Sequence, residues 1–193
     1  MRIVKGIIGH CSCRLLRPLA GWLFLVLGCY GSLDAQIGQP FITNFPPSSY
    51  HSTNYVSSPN NWCVIQDRVG TVFVSNGNIS LAYNGKRWTP ISGTEEKAFF
   101  KMAEGKDGRI FTGGLHELGW FEHNGDGKIN FVSMMDKVPR EAFGFSKIFN
   151  VVTDIQGNVY FLDKEWLFRW DGTKLSCWKS KVAFLKAIPV DGA

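Results

Sequence analysis

NWCVIQDRVGTVFVSNGNISLAYNGKRW, residues 61–88, decides how the chain is read. Trp62–Gln66 is a largely apolar run, the pattern expected of a strand buried on both faces. Asp67–Gly70 turns the chain, and Thr71–Ser75 is β-branched and aromatic. Asn76-Gly77-Asn78 turns it again, with Gly77 able to supply the positive φ such turns need. Ile79–Tyr83 is a third strand. Asn84-Gly85 is a strong hairpin signal, and Arg87–Ile91 is the fourth strand.

The same plan returns twice. IFNVVTDIQGNVYFLDKEWLFRWDGTKL, residues 148–175, places Gly157 and Gly172 15 apart, as are Gly70 and Gly85. Between the two copies, FFKMAEGKDGRIFTGGLHELGWFEHNGDGKI holds Gly108 and Gly125, 17 apart. In this middle copy Arg109–Thr112 reads as a strand, Gly113-Gly114 as a turn, and Leu115–Phe121 as the next strand. A longer turn, His123–Lys128, leads to Ile129–Ser133. In the last copy the strands are Asn158–Leu162, Leu167–Trp170 and Leu175–Trp178. Four short antiparallel strands in about 40 residues is the period of a propeller blade. The chain therefore reads as all-β, a partial β-propeller over residues 61–193. Blades are expected at about 61–92, 98–134 and 147–180, with the start of a fourth at 182–193. Asp136–Phe145 reads as a linker. Rings usually have four to eight blades, so the expectation is a truncated piece of a longer protein. Completion of the ring by self-association is the alternative.

Residues 36–60, QIGQPFITNFPPSSYHSTNYVSSPN, form an extended lead-in in which Pro46-Pro47 and Pro59 exclude helix. Phe41, Ile42, Phe45 and Tyr50 are its expected anchors on the domain. Residues 1–35 read as a signal peptide. Arg14 and Arg17 precede the apolar run Leu19–Cys29, which is short for a membrane span. Cleavage after Ala35 is one outcome. Lipoprotein processing with Cys29 acylated is another, and a retained anchor a third. Either cleavage places the protein in the periplasm or outside the cell.

The charge of +5 is partly the leader's. Removing Arg2, Lys5, Arg14, Arg17 and Asp34 from 21 basic and 16 acidic residues leaves 17 and 15, or +2. That balance gives no stripe for nucleic acid. Cys63 and Cys177, on non-neighbouring repeats, read as separate small apolar residues.

His116-Glu117 begins a metalloprotease-like pattern, but position 120 is Trp, so the second ligand is missing. Glu122–Ser133 has Asn124, Asp126 and Gly127 spaced as in a calcium loop, but Ser133 stands where a bidentate carboxylate is wanted. Asp67, Asp107, Asp171 and the pair Glu95-Glu96 lie at turns, where an acid usually bonds its own backbone. Trp62, Trp88, Trp120, Trp166, Trp170 and Trp178 read first as packing between blades. Some of them could instead stack sugar rings. No residue is assigned as catalytic, cofactor-binding or metal-binding, and no cofactor is expected.

IGQPFITNF, NWCVIQDRVGTVFVSNG and LAYNGKRW together resemble the start of the periplasmic sensor proteins built from two-component-regulator propellers in Bacteroidetes-type bacteria. Ile37, Gly38, Pro40–Ile42, Asn44, Asn61-Trp62, Gln66-Asp67, Gly70 and Trp88 stand at the family's positions. GRIFTGGLHELGWF and NVYFLDKEWLFRWDGTKL resemble its later repeats. The resemblance implies a small-molecule or oligosaccharide ligand sensed outside the cytoplasm. It also implies downstream blades, a β-sandwich with a triple-tyrosine motif, a membrane helix and a cytoplasmic output domain, with a homodimer admitted for the whole protein. Kinase, cyclase or DNA-binding output would belong to those further parts, so this chain itself is not expected to be an enzyme. The alternatives are an exported propeller lyase or hydrolase acting on polysaccharide, and a secreted binding protein.

Overall fold

Twelve strands form three separate four-stranded antiparallel sheets in the computed structural model, which describes residues 43–50 and 58–188. The expected signal segment, its cleavage sites at Ala35 and Cys29, and the anchors Phe41 and Ile42 lie outside the described residues. Blade 1 is β1 (Asn61–Gln66), β2 (Val72–Asn76), β3 (Ile79–Tyr83) and β4 (Trp88–Pro90). Blade 2 is β5 (Phe99–Glu104), β6 (Ile110–Gly114), β7 (Leu118–His123) and β8 (Ile129–Ser133). Blade 3 is β9 (Asn150–Thr153), β10 (Val159–Leu162), β11 (Trp166–Trp170) and β12 (Leu175–Lys179). Each blade is a simple meander, and the first strands β1, β5 and β9 lie side by side. The fold is a partial β-propeller.

Burial along each strand reports how many blades face it. Blade 2 lies between two neighbours, and β6 is buried at every residue. Ile110, Phe121 and Met102 pack toward Phe73 and Ala82 of blade 1. Phe111, Leu118 and Trp120 pack toward Phe161, Phe168 and Trp170 of blade 3. β1 is not buried on both faces as its apolar run predicts. Cys63 and Ile65 pack against the blade 2 core, while Val64 is 66% exposed. The reason is positional: no blade among the described residues covers that side of β1. The outer strands of blade 1 do bury that face, because the lead-in covers them. Phe45 and Tyr50 close over Ile79, Leu81 and Trp88. The lead-in is not wholly extended, since Pro47–Ser49 forms a 3₁₀ turn. Proline is well suited to a first helical position, where its missing N–H costs nothing.

Two further expectations are corrected. Gly113-Gly114 is not a turn but the end of β6, and Leu115–Glu117 makes the turn before β7. A Cβ on Gly113 would lie 2.3 Å from Ile148 Cγ2, so glycine there allows blade 3 to approach. The positive-φ residue of the β7–β8 turn is Gly127 (φ 78°), not Gly125, so the 17-residue interval is not the counterpart of the 15-residue ones. The linker 136–145 joins β8 to β9 as expected. It carries 3₁₀ turns at Met135–Lys137 and Arg140–Ala142, and buries Val138, Ala142 and Phe145 in the core between blades 2 and 3.

Hydrogen bonds latch the blades together. Ser75 Oγ donates to the Phe99 carbonyl (2.6 Å), and Thr153 Oγ1 to that of Glu104 (3.0 Å). Arg68 donates to the Gly105 carbonyl and pairs with Glu104 at 2.8 Å. The Ile148 N–H donates to Gly114 (2.9 Å), and the His116 N–H to Ser146 (3.0 Å). Residues 181–188 follow the same rule on blade 3. Phe184 N–H reaches the Lys164 carbonyl (2.8 Å), and Asn150 Nδ2 reaches that of Ala187 (3.0 Å). Residues 181–188 thus lie on blade 3, and none of them is in a strand.

Candidate functional site

The starts of the first strands of blades 1 and 2 carry a shared irregularity. Pairing of β1 with β2 slips between Asn61 and Cys63, and pairing of β5 with β6 slips between Phe99 and Lys101. The extra residue is aromatic in both blades: Trp62 and Phe100. Each stands eight residues before its blade's first turn glycine, Gly70 or Gly108, and Phe149 stands eight before Gly157. A bulge bends its strand and re-aims a side chain. Here it brings Trp62 and Phe100 edge to face, with ring centroids 5.3 Å apart across the blade boundary. Lys147, just before β9, places its Nζ 3.8 Å from the centre of the Phe100 ring.

Beside this row lies an open groove of about 440 Å³ bounded by Ser146, Lys147, Phe149, Asp163, Lys164 and Phe184. Asp163 is buried and builds its wall. Its Oδ2 accepts from the Ser146 and Lys147 N–H groups (3.1 and 3.0 Å), and its Oδ1 from the Glu165 N–H (3.0 Å). Asp163 thereby holds the backbone that carries Lys147. Among the described residues neither Lys147 nor Lys164 has an ion-pair partner. The groove is thus lined by two phenylalanines, two lysines, Ser146 and the backbone-bonded Asp163. A second groove, about 350 Å³, lies on the outer face of blade 3 between Tyr160, Leu162, Leu167, Phe184 and Ile188 and is mostly apolar.

The residues singled out in the sequence fall elsewhere. His116 has φ 51° in the exposed β6–β7 turn, with Nδ1 2.8 Å from the Phe145 carbonyl. Glu117 is held by Lys97 Nζ and Ser133 Oγ, both at 2.7 Å. The Asn124–Lys128 segment is a hairpin turn in which Asp126 Oδ1 accepts from the Lys128 N–H (3.1 Å). That bond leads the causes holding the Asp126 carboxyl below its usual range. Asp67 accepts from Val69 and Thr71, and Asp107 from Arg109, as turn acids do. Glu95 accepts from the Gly93 N–H. Cys63 and Cys177 are free, partly buried thiols, each raised by burial. Trp120 and Trp170 are buried and stack across blades 2 and 3 at 6.2 Å. Trp88 belongs to the lead-in cluster, while Trp62 and Trp178 are each 48% exposed.

Asp171 yields a pH prediction. Its Oδ1 accepts from the Lys174 N–H (2.8 Å) and from the N–H and hydroxyl of Thr173 (both 2.9 Å). These bonds, Lys174's first, hold its carboxyl down at about 2 against an ordinary 3.8. A folded pKa below the unfolded one means stability that is present above about pH 4 and lost as pH falls through about 2. The Tm gap between wild type and Asp171→Ala is therefore expected to close over that window. A gap that stays constant in a pH series of thermal melts refutes the assignment.

No family model and no curated protein sequence matches the chain. Among solved structures it is similar to a selenomethionine-substituted virginiamycin B lyase from Staphylococcus aureus (12% identity, 64% of this chain, 42% of that one, TM-score 0.48). It is also similar to a streptogramin B lyase (9%, 66%, 43%, 0.49) and to a catalytically inactive virginiamycin B lyase of Staphylococcus aureus with quinupristin (12%, 65%, 44%, 0.47). The chain spans less than half the length of these structures. Identities of this size carry no activity from one protein to another.

Proposed function

We propose that the chain is the N-terminal part of a ligand-sensing β-propeller that works outside the cytoplasm in bacterial signal transduction. The observation that carries this reading is the meeting of two motifs through which the chain resembles the regulator-propeller sensors. Phe45 closes IGQPFITNF, while Tyr83 and Trp88 belong to LAYNGKRW. Their rings meet at 5.0 Å (Phe45–Tyr83) and 5.5 Å (Phe45–Trp88), with Tyr50 a further 5.6 Å from Trp88. The lead-in thus has a structural task, capping the first blade, which gives a reason for the two motifs to occur together. The groove lined by Phe149, Phe184, Lys147 and Lys164 is consistent with a binding role.

The test is a fusion of alkaline phosphatase after Ala193, expressed in a Bacteroidetes-type host. The enzyme is active only when exported, so strong activity is expected. An inactive fusion at normal protein levels overturns the extracytoplasmic reading. The coding frame beyond Ala193 separates the sensor from its rivals. A membrane helix and a cytoplasmic output domain are expected. A stop after a closed propeller favours an exported enzyme or free binding protein.

A further inference from the structure

We propose that Asn124, in the β7–β8 turn, is a site of spontaneous covalent modification, where the carboxamide is lost as ammonia and aspartate and isoaspartate take its place. The sequence holds three Asn-Gly pairs, 76–77, 84–85 and 124–125. Asparagine is among the thermolabile residues, and a following glycine has no side chain to crowd its own amide nitrogen. By sequence the three pairs are equal candidates. The structure separates them, and no ligand or sensing role enters the reaction.

The Gly125 amide, once hydroxide has taken its proton, attacks Asn124 Cγ. The N–Cγ bond forms, the Cγ–Nδ2 bond breaks, and Nδ2 leaves as ammonia. The product is a five-membered succinimide. Water then adds to one of its two carbonyls and reopens the ring. Opening at the Cγ–N bond gives aspartate. Opening at the original backbone bond gives isoaspartate, with the main chain running through Cβ and Cγ. Water is the one co-reactant consumed, and nothing is oxidised or reduced. The step needs a carboxamide free to turn and an amide nitrogen free of other bonds.

At Asn76 neither condition holds. The residue is buried, its Nδ2 donates to Asn61 Oδ1 (2.7 Å), and its Oδ1 accepts from the Ser58 N–H (2.7 Å). The Gly77 N–H is occupied too, donating to the Asn60 carbonyl (3.0 Å). Asn84 is exposed, but its side chain is the acceptor of its own turn. Its Oδ1 takes the Lys86 and Arg87 N–H groups (3.1 and 3.0 Å). In the β7–β8 turn Asp126 performs that task, through its bond from the Lys128 N–H. Asn124 closes the turn with its backbone alone, its N–H donating to Lys128 (2.7 Å) and its carbonyl accepting from Gly127 (3.0 Å). Its carboxamide is exposed and, like the Gly125 N–H, has no hydrogen-bond partner among the described residues. Isoaspartate would add a main-chain atom to this turn, displace the acceptor of the Gly127 N–H, and place a new carboxylate two residues from Glu122 and from Asp126.

The experiment incubates the purified full chain in warm, mildly alkaline buffer, once folded and once in denaturing guanidinium. Tryptic peptide mass spectrometry follows each site. Asn124 falls in the peptide 110–128, while Asn76 and Asn84 share 69–86 and are separated by fragmentation. A protease that cuts before aspartate and not before isoaspartate distinguishes the two products. In the folded chain Asn124 is expected to convert about tenfold faster than Asn84, whose two hydrogen bonds must break first. Asn76 is expected to convert only as fast as the blade opens, below detection over the same period. In guanidinium the three rates are expected to converge. Gly125→Ala, at a position where nothing lies within 4 Å of the added Cβ, is expected to melt like wild type and to convert several-fold more slowly at Asn124, because the methyl group crowds the attacking nitrogen. Conversion of Asn84 or Asn76 as fast as that of Asn124 in the folded chain overturns the assignment. So does an unreactive Asn124 beside a reacting denatured sample, or an order that persists in guanidinium, which would make sequence its cause. An unchanged rate in Gly125→Ala, or aspartate without isoaspartate, overturns the succinimide route in favour of direct hydrolysis.

Discussion

Phe161→Ala is expected to destabilise the protein by about 3–5 kcal/mol, as large aromatic truncations in closed cores do. Phe161 is 0% exposed and sits in β10, where it opposes Val151 on one side and Phe168 on the other. Both partners are buried in the same core. Its ring also meets Phe111 of blade 2 at 6.3 Å, close to perpendicular. The truncation therefore opens a cavity where two blades meet, and neither twisted sheet can collapse into it without breaking its own ladder. Urea unfolding should show a lower midpoint with an unchanged slope, and Tm should fall by about 10 °C or more. Trp178→Ala, at a half-exposed site, is the control and is expected to cost less than about 1 kcal/mol. Equal costs for the two variants would show that the blade interface does not carry the stability.

Gly114→Ala is expected to cost about 3 kcal/mol or more, although it adds one methyl group. Gly114 does not have a positive φ, so backbone strain is not the reason. The added Cβ would lie 2.0 Å from the Ala98 carbonyl oxygen, and backbone cannot swing aside as a side chain does. Relief requires β5 and β6 to part at the point where the Leu115 N–H donates to Ala98 (3.1 Å). The Gly114 carbonyl also accepts the Ile148 N–H that latches blade 3, so the disturbance reaches the next blade. Gly125→Ala is the comparison, since nothing lies within 4 Å of its added Cβ. It is expected to change stability by no more than about 0.5 kcal/mol. Thermal melts of the two variants decide the matter, and similar values would refute the close-approach account.

Much of the architecture was legible because turn chemistry is local. Gly70, Gly85, Gly108, Gly157 and Gly172 all adopt positive φ, and they bound strands where the alternation of apolar and β-branched residues places them. The turn acids bond their own backbone for the same reason. Gly113-Gly114 misled because glycine serves two needs. A pair of glycines reads as a turn from its neighbours in sequence, whereas here Ala98 and Ile148 occupy the space a side chain would need. The segment 136–145 was legible as a linker, but its proline and glycine mark a change of direction without saying which residues are buried.

The groove site was less legible. Trp62, Phe100 and Phe149 are separated by the blade spacing itself, 38 and then 49 residues. A signal existed in their equal distance of eight residues from each turn glycine, visible only after the copies are aligned on those glycines. Lys147 and Lys164 carried no signal, since a lone lysine in a loop is ordinary.

By itself the sequence determined the three four-stranded repeats, their meander order and most of their turns, because each depends on residues within a few places of one another. Tertiary structure alone decided which strand faces are covered and where the ladder bulges. Those outcomes depend on which sheet lies against which. A residue such as Val64 has the same apolar side chain whether or not a neighbour covers it.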